Sequence, residues 1–183
     1  ILCAGLVGFT ACDSFLDEEP KSSLTLDTYY KTSADIIGNV NYLYRDGAPD
    51  KMGNMTGAYR GSSLSVMNMV TGYFVNEYEG QEVDCSYARQ LTRQNFTQSC
   101  CNYLTNDTWK GCYKSINVAN AVIKYVDGVE MDGQAQYKAE ARFFRALNYF
   151  YLVKMFGDVP MITEPTEDAT LVEYPARTAA SEV

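Results

Sequence analysis

Apolar residues recur with the period of an α-helix in three stretches of this sequence. The first stretch follows Ser33, a candidate N-cap residue, and ends at Asp46-Gly47, where glycine can adopt the left-handed C′ conformation. Its apolar residues at helical spacing are Ile36, Ile37, Val40, Leu43 and Tyr44. We therefore predict a helix between Ser33 and Asp46.

A second helical pattern begins in the C-terminal half of the chain. Asn106 or Asp107 is its candidate N-cap, and Asp127-Gly128 ends it. The apolar stripe of this helix consists of Trp109, Cys112, Tyr113, Ile116, Ala119, Ile123 and Val126.

A third and longer helix is predicted from about Gln134 to Phe156, with Gly157 at C′ and Pro160 as a stop signal. It has two apolar stripes, Tyr137, Ala141, Phe144, Leu147, Tyr151 and Met155, and beside them Ala139, Phe143, Ala146, Phe150 and Val153. A helix that is apolar over most of its circumference packs on several sides. Together with the preceding helix it predicts an antiparallel hairpin. We predict a mainly α-helical fold, a tetratricopeptide-like helical repeat with long irregular loops.

An apolar run over residues 1–11 precedes Cys12. The run is shorter than the about 20 residues that cross a bilayer, and its glycines weaken a helix by ~1 kcal/mol each. A secretory signal explains its length, its apolarity and the small residues before the cysteine. We predict cleavage before Cys12 and lipidation of its thiol. A plain cleaved signal and a structural helix are the alternatives.

These patterns divide the chain into three parts. Residues 1–11 are expected to be a lipoprotein signal peptide that is truncated at its start, and residues 12–31 an extended acidic tether. Residues 32–183 are expected to form the N-terminal part of a helical domain that is incomplete at its C-terminus. Within this domain, residues 48–105 are irregular and rich in Gly, Asn, Ser and Tyr. A long irregular segment is usually functional or disordered, and the aromatic residues favour a function.

The composition excludes several classes of function. The formal net charge is −8 and the pI is near 4.5. Nucleic-acid binding and docking on anionic lipid headgroups both require a basic surface, so we expect no nucleic-acid partner. The sequence contains no histidine, which excludes histidine base catalysis and histidine metal ligation.

Four cysteines remain outside the signal and the lipidation site: Cys85, Cys100, Cys101 and Cys112. They are either buried thiols, since cysteine is among the most buried residue types, or partners in disulfides. Their spacing contains no CxxC, and the acidic residues between positions 77 and 84 do not follow the EF-hand spacing. We expect no metal ion and no cofactor.

Four segments resemble the SusD/RagB family of outer-membrane nutrient-binding lipoproteins. Residues 12–20 are similar to the mature N-terminus of its members, and residues 109–120 to their W-x-x-x-Y-x-x-I-x-x-A-N helix. Residues 139–160 are similar to their A-E-A-R-F-x-R-A-x-x-Y-F-x-L-x-x-x-F-G-x-V-P run, and residues 175–178 to the segment that follows it.

The resemblance implies a cell-surface lipoprotein, anchored in the outer membrane through Cys12, that binds an oligosaccharide or polysaccharide. It also implies delivery of this ligand to a TonB-dependent SusC-like transporter. Members of the family generally bind their ligand without cleaving it, so we expect no enzyme activity. A helical scaffold for protein partners and a glycoside hydrolase are the alternatives. Glycoside hydrolysis requires two carboxylates about 5 to 9.5 Å apart, and no acidic residue lies in a recognisable catalytic turn.

The motif residues of the two long helices are expected to have structural roles. We expect Arg142 and Arg145 to form ion pairs and Trp109 to lie in the core. Asn117 and Asn120 are expected to bond backbone groups between helices.

Sugar binding requires exposed, flat aromatic faces with hydrogen-bond donors nearby. Tyrosine has a flat ring with a polar tip, and arginine is a rigid fork of donors. The irregular segment contains both, and its candidate carbohydrate-binding residues are Arg60, Tyr73, Asn76 and Tyr78, with Tyr87 as a further aromatic. The alternative is that these tyrosines only pack the segment onto the helices.

Overall fold

The computed structural model describes residues 25–45, 70–75, 90, 92–95, 108–167 and 175–183. Its helices are α1 (Leu26–Tyr29), α2 (Ser33–Arg45), α3 (Lys110–Tyr125) and α4 (Gln134–Phe156), and a 3₁₀ turn spans Val126–Gly128. Within these ranges there is no β-strand, only an isolated antiparallel bridge that joins Val159 and Thr178. The mainly helical fold predicted from the sequence is confirmed. The predicted end of the first helix at 46–47 and the candidate N-caps at 106–107 lie outside the described residues.

The start of α2 differs by one residue from the prediction, because Ser33 is its first helical residue and not its N-cap. The carboxylate of Asp35 accepts hydrogen bonds from the N–H of Thr32 at 2.8 Å and from its hydroxyl at 2.7 Å. These bonds lower the pKa of Asp35, since they favour the charged carboxylate. Thr32 therefore occupies the N-cap position of α2, and Asp35 binds its N–H and hydroxyl.

The fold begins earlier than the boundary predicted at residue 32. The described end of the expected tether is not extended, because it contains the one-turn helix α1. Tyr30 is buried, and its ring stacks on that of Tyr125 with centroids 5.3 Å apart and planes within 5°. Burial of an aromatic ring stabilises this docking of the first turn onto the end of α3. Residues 26–30 therefore pack on the helices and are not extended.

Helices α3 and α4 form the predicted antiparallel hairpin. Trp109, directly before α3, meets Phe156 at the end of α4 edge to face, with ring centroids 5.1 Å apart. The limits of α4 agree with the prediction, and Gly157 follows it with a φ of +68°, a conformation that other residues rarely adopt. The 3₁₀ turn ends α3 at the predicted Asp127-Gly128. α2 packs against both long helices.

The core consists of two clusters. The larger one joins α2 to the hairpin, and its buried residues are Tyr30, Ile36, Val40, Leu43, Ala119, Ala121, Val122, Val126, Val129, Ala141 and Phe144. The smaller one lies at the other end of the hairpin, with Cys112, Ile116, Tyr149, Leu152 and Val159 buried and Trp109, Tyr113, Val153, Phe156 and Val183 partly buried around them. Each cluster joins residues from different helices. Packing therefore stabilises the hairpin at both of its ends.

Within the second apolar stripe of α4, Val153 packs against the smaller cluster as predicted, but the other four residues are exposed. Phe143 is 60% exposed and Phe150 56% exposed, and the alanines between and before them, Ala139 and Ala146, are exposed as well. The described helices α2 and α3 contact the other side of α4, where Ala141 and Phe144 are buried. We call the stripe formed by Ala139, Phe143, Ala146 and Phe150 the outer face of α4.

The long helix α4 is also relevant to membrane insertion. It has 23 residues, but Lys138, Glu140, Arg142, Arg145 and Lys154 are distributed along it. In the described part of the chain, no helix combines the length and the apolarity that crossing a bilayer requires.

Candidate functional site

An exposed aromatic pair lies in the irregular part of the chain. Tyr73 is 89% exposed and Phe74 57% exposed, and Val75 beside them is 60% exposed. The turn that presents them contains Gly72 with a φ of +79°, and the N–H of Tyr73 donates to the Thr71 hydroxyl at 3.3 Å. Large apolar rings in a turn of this kind are available to a flat ligand surface. We call Tyr73 and Phe74 the aromatic patch.

Of the residues predicted to bind carbohydrate, the structure places Tyr73. Arg60, Asn76 and Tyr78 lie outside the described residues, as does Cys12, the predicted lipidation site. Phe74 was missed by the sequence reasoning, although its position next to Tyr73 is visible in the sequence. Phe74 is recognised by the solvent exposure of its ring, which the sequence pattern does not report.

A second polar arrangement holds the segment that follows α4, residues 157–167, against the hairpin. Asn120 is buried in α3, and its amide nitrogen donates to the carbonyl oxygens of Ile162 at 3.0 Å and Glu164 at 3.2 Å. Its amide oxygen accepts from Arg145 of α4 at 2.9 Å, and Arg145 also reaches the carbonyl of Thr163 at 3.4 Å. One side chain of each helix thus bonds the same stretch of backbone.

Two tyrosines extend this arrangement along the segment. The hydroxyl of Tyr149 donates to the carbonyl of Ile162 at 2.9 Å and accepts from its N–H at 2.6 Å. The hydroxyl of Tyr113 donates to the carbonyl of Pro160 at 2.6 Å. Burial raises the pKa of both phenols, because desolvation disfavours the phenolate. Both side chains therefore stay neutral and can donate.

The far end of the segment is bound by α3. The N–H of Thr166 donates to the side-chain oxygen of Asn117 at 2.8 Å. Lys124 forms an ion pair and hydrogen bond with Glu167, which raises the pKa of the ammonium. This pair is exposed to solvent, and exposed ion pairs add little stability. Tyr113, Asn117, Asn120, Arg145 and Tyr149 are the residues that we call the clamp.

A further segment, residues 175–183, folds back on the end of α4. Val159 and Thr178 exchange backbone hydrogen bonds of 3.2 and 2.9 Å. Arg177 donates to the carbonyl of Asp158 at 2.6 Å, and its guanidinium lies 5.8 Å from the centroid of the Trp109 ring. The arginine therefore covers the edge of the smaller core cluster by a cation–π contact.

These contacts correct several sequence-based expectations. Among the described residues, Arg145 donates to an amide and a carbonyl instead of a carboxylate, and Arg142 is exposed. Asn117 and Asn120 bond the backbone of the segment after α4 and not backbone groups between helices. Trp109, which was expected in the core, is partly buried and packs against the smaller cluster.

Cys112 is a buried free thiol, as one of the two interpretations of the cysteines expects. Burial raises the pKa of this thiol to about 12. Cys85, Cys100 and Cys101 lie outside the described residues. Among the residues that the structure places, no group of three or more Cys, Asp and Glu side chains is arranged to hold a metal ion.

The comparison with known proteins gives the clamp and the helices a family context. The SusD-like family, described as starch-binding and associating with the outer membrane, matches residues 14–183. The chain belongs to the SusD-like family. Four clamp residues, Tyr113, Asn120, Arg145 and Tyr149, lie at fixed positions of the two helix segments that resemble this family.

Curated relatives of this SusD-like chain come from two organisms. SusD-like protein P25 of Formosa agariphila is 26% identical over 164 residues, which cover 85% of this chain and 29% of the relative. SusD-like protein P2 of the same organism is 26% identical over 172 residues, 93% of this chain and 32% of the relative. A SusD-like protein of Bacteroides ovatus is 26% identical over 175 residues, 92% of this chain and 28% of the relative. The chain thus spans less than a third of each relative, and no solved structure matches it significantly.

Proposed function

We propose that this SusD-like chain is part of a glycan-binding lipoprotein of the outer-membrane surface, which captures oligosaccharides and delivers them to a TonB-dependent SusC-like transporter. The aromatic patch at Tyr73 carries the proposal. It combines two adjacent exposed rings with membership of a family described as starch-binding. The aliphatic faces of a sugar ring can stack on such rings, while its hydroxyls need donors and acceptors beside them.

The other candidate residues complete the proposed site. Arg60, Asn76 and Tyr78 belong to the same irregular segment as Tyr73, so they can supply a guanidinium, an amide and a further ring to the sugar hydroxyls. The clamp residues are not part of this proposal, because they bond the segment after α4 and, in the case of Asn120 and Arg145, also each other.

The test is glycan binding by the purified full-length protein with alanine at the patch. Tyr73→Ala and Phe74→Ala are each expected to weaken retention on a starch-type polysaccharide about tenfold, the scale of one lost ring contact. The matched control is Tyr44→Ala, which removes an exposed tyrosine of α2. Retention that is equal in all three variants and the wild type would contradict the proposed site.

Membrane attachment is proposed through an acyl chain on Cys12, with residues 1–11 as the signal. The family match begins at residue 14, close behind this cysteine, which supports a mature chain that starts near it. Palmitate labelling in cells is expected for the wild type and for Cys3→Ala, whose substituted cysteine lies in the signal. Loss of label is expected for Cys12→Ala. Equal labelling of all three proteins would exclude the anchor.

We further propose that the chain binds its glycan without turnover. Support comes from the family description, which refers to binding. Incubation of the purified protein with starch-type polysaccharides should release no reducing sugar, and release that scales with protein concentration would establish the hydrolase alternative.

A further inference from the structure

The first turn of the fold is docked at one end of the α3–α4 hairpin. Leu26 packs against the larger core cluster, and the buried ring of Tyr30 stacks on Tyr125, the last residue of α3. The chain therefore enters the helical domain at the end of the hairpin where residues 126–133 join α3 to α4. We call this end the tethered end.

Polar contacts fix the same turn to two helices. The side-chain amide of Asn39 in α2 donates to the Tyr29 hydroxyl at 3.2 Å, and the Tyr125 hydroxyl of α3 hydrogen-bonds to Asp27. Release of the turn would break these bonds together with the ring stack on Tyr125. The point at which the chain enters the domain is therefore fixed.

The other end of the hairpin, which we call the far end, lies one helix length away. α3 has 16 residues, so its two ends are about 24 Å apart. The far end contains the smaller core cluster, on which Arg177 covers the ring of Trp109. Residues 175–183 belong to this end as well, because Thr178 pairs there with Val159.

We propose that the tethered end faces the outer membrane and that the far end points away from it. This inference rests on the proposed acyl anchor at Cys12. Thirteen residues lie between Cys12 and Leu26. Such a stretch spans at most about 50 Å, and about 20 Å on average if it is a flexible chain. Because this average is similar to the length of α3, the entry point decides which end lies nearer to the lipid.

The charge of the tethered end indicates that it does not adsorb to the lipid. Glu130 and Asp132 are exposed on the turn, and Asp127 beside them pairs with Lys138. Anionic headgroups attract basic segments and repel carboxylates. The anchor and the docked first turn therefore set the orientation, and lipid binding by the domain surface does not.

The first test measures how far each end lies from the lipid in the full-length acylated protein. A fluorophore is attached through p-acetylphenylalanine, either at Asp132 on the tethered end or at Ser181 on the far end, both of which are exposed. The protein is reconstituted in phosphatidylcholine vesicles that contain an acceptor lipid. Because the ends are about 24 Å apart, energy transfer from position 132 should be at least about twofold higher. Equal transfer, or higher transfer from position 181, would overturn the proposal.

The second test examines whether the docked turn fixes the entry point. Tyr30→Ala removes the ring stack, so amide hydrogen exchange at residues 29–31 should rise at least about tenfold. Energy transfer from position 132 should fall, because the released residues lengthen the tether. The control is Tyr44→Ala, at an exposed tyrosine of α2, which should leave both measurements unchanged. Unprotected amides in the wild-type turn would refute the docking and the orientation with it.

The anchor and the orientation can fail separately. Palmitate labelling of the wild type and of Cys12→Ala tests the anchor without any measurement of distance. Equal labelling would exclude the anchor and the orientation together. Label that is confined to the wild type, combined with equal energy transfer from both ends, would exclude the orientation alone.

Discussion

The guanidinium of Arg145 donates to the side-chain oxygen of Asn120 at 2.9 Å, and this contact orients the buried amide. An arginine can only donate, so the amide oxygen must face α4 and the amide nitrogen must face the segment after α4. The nitrogen then reaches the carbonyl oxygens of Ile162 and Glu164. Because Asn120 lies in α3 and Arg145 in α4, this pair binds both helices to the backbone of the segment after α4.

We predict that Asn120→Ala lowers the free energy of unfolding by about 2 kcal/mol, because it leaves a half-buried arginine donor and two carbonyls without their Asn120 partner. Urea denaturation measures the change. The control is Asn41→Ala, an exposed asparagine in α2, which should change stability by less than about 0.5 kcal/mol. Similar losses in the two variants would contradict the role of the clamp.

Stability should fall at alkaline pH. Burial raises the pKa of Tyr30, Tyr113 and Tyr149 above the ordinary tyrosine value of 10.0. The neutral phenols therefore contribute stability that is fully present below about pH 10 and is lost as the pH rises through the higher values of the folded state. The free energy of unfolding should be nearly constant from neutral pH to about pH 9 and then decrease.

Two measurements check the alkaline prediction. Tyrosinate formation is followed by near-ultraviolet absorbance. A fraction of the tyrosines should ionise only at the high pH at which the protein unfolds. Tyr149→Phe should be less stable at neutral pH, since it loses both bonds to Ile162, but its stability should depend less steeply on pH above 10. A tyrosine titration that is complete near pH 10 in the folded protein would contradict the assignment.

Cys112 should resist alkylation in the native protein. Its side chain is fully buried and its pKa is raised to about 12, so little thiolate is present and no reagent can reach it. Iodoacetamide treatment followed by peptide mass spectrometry should find this cysteine unmodified in buffer and modified in concentrated urea. Rapid modification of Cys112 in buffer would show that the smaller core cluster opens.

Trp109 is the single tryptophan of the chain, so its fluorescence reports on the cover supplied by Arg177. Arg177→Ala should shift the emission to longer wavelength, because water replaces the guanidinium over the ring. The loss of the cation–π contact should cost about 1 kcal/mol. Arg142→Ala, at an exposed arginine of α4, should leave the emission unchanged. Identical spectra for the wild type and both variants would exclude the contact.

The helical fold was predictable because its signals are local. The limits of α4 follow from apolar periodicity, from Gly157 and from Pro160, all of which act within a few residues. The start of α2 was misplaced by one residue, since Thr32 and Ser33 are both good caps and the bonds to Asp35 select between them. The helical turn at 26–29 was not predicted, because its docking depends on the stacking of Tyr30 on Tyr125, which lies far along the chain.

The candidate site was only partly predictable. Residue types and irregular composition indicated Tyr73 as a sugar platform, but the high exposure of Phe74 depends on the turn at Gly72. The clamp was not foreseen as such, because each asparagine and arginine of the motifs has several plausible partners in the sequence. Side-chain amides bond whichever groups the packing brings within reach.

The sequence by itself determined the two long helices, their antiparallel pairing and the membership of the SusD-like family, because periodicity, glycine and proline positions and motif residues are all properties of neighbouring positions. Only the tertiary structure decided that Asn120 and Arg145 hold the segment after α4, and that Phe143 and Phe150 stay exposed while Phe144 is buried. Hydrogen-bond partners and burial depend on which distant residues meet, and a one-dimensional pattern does not contain this information.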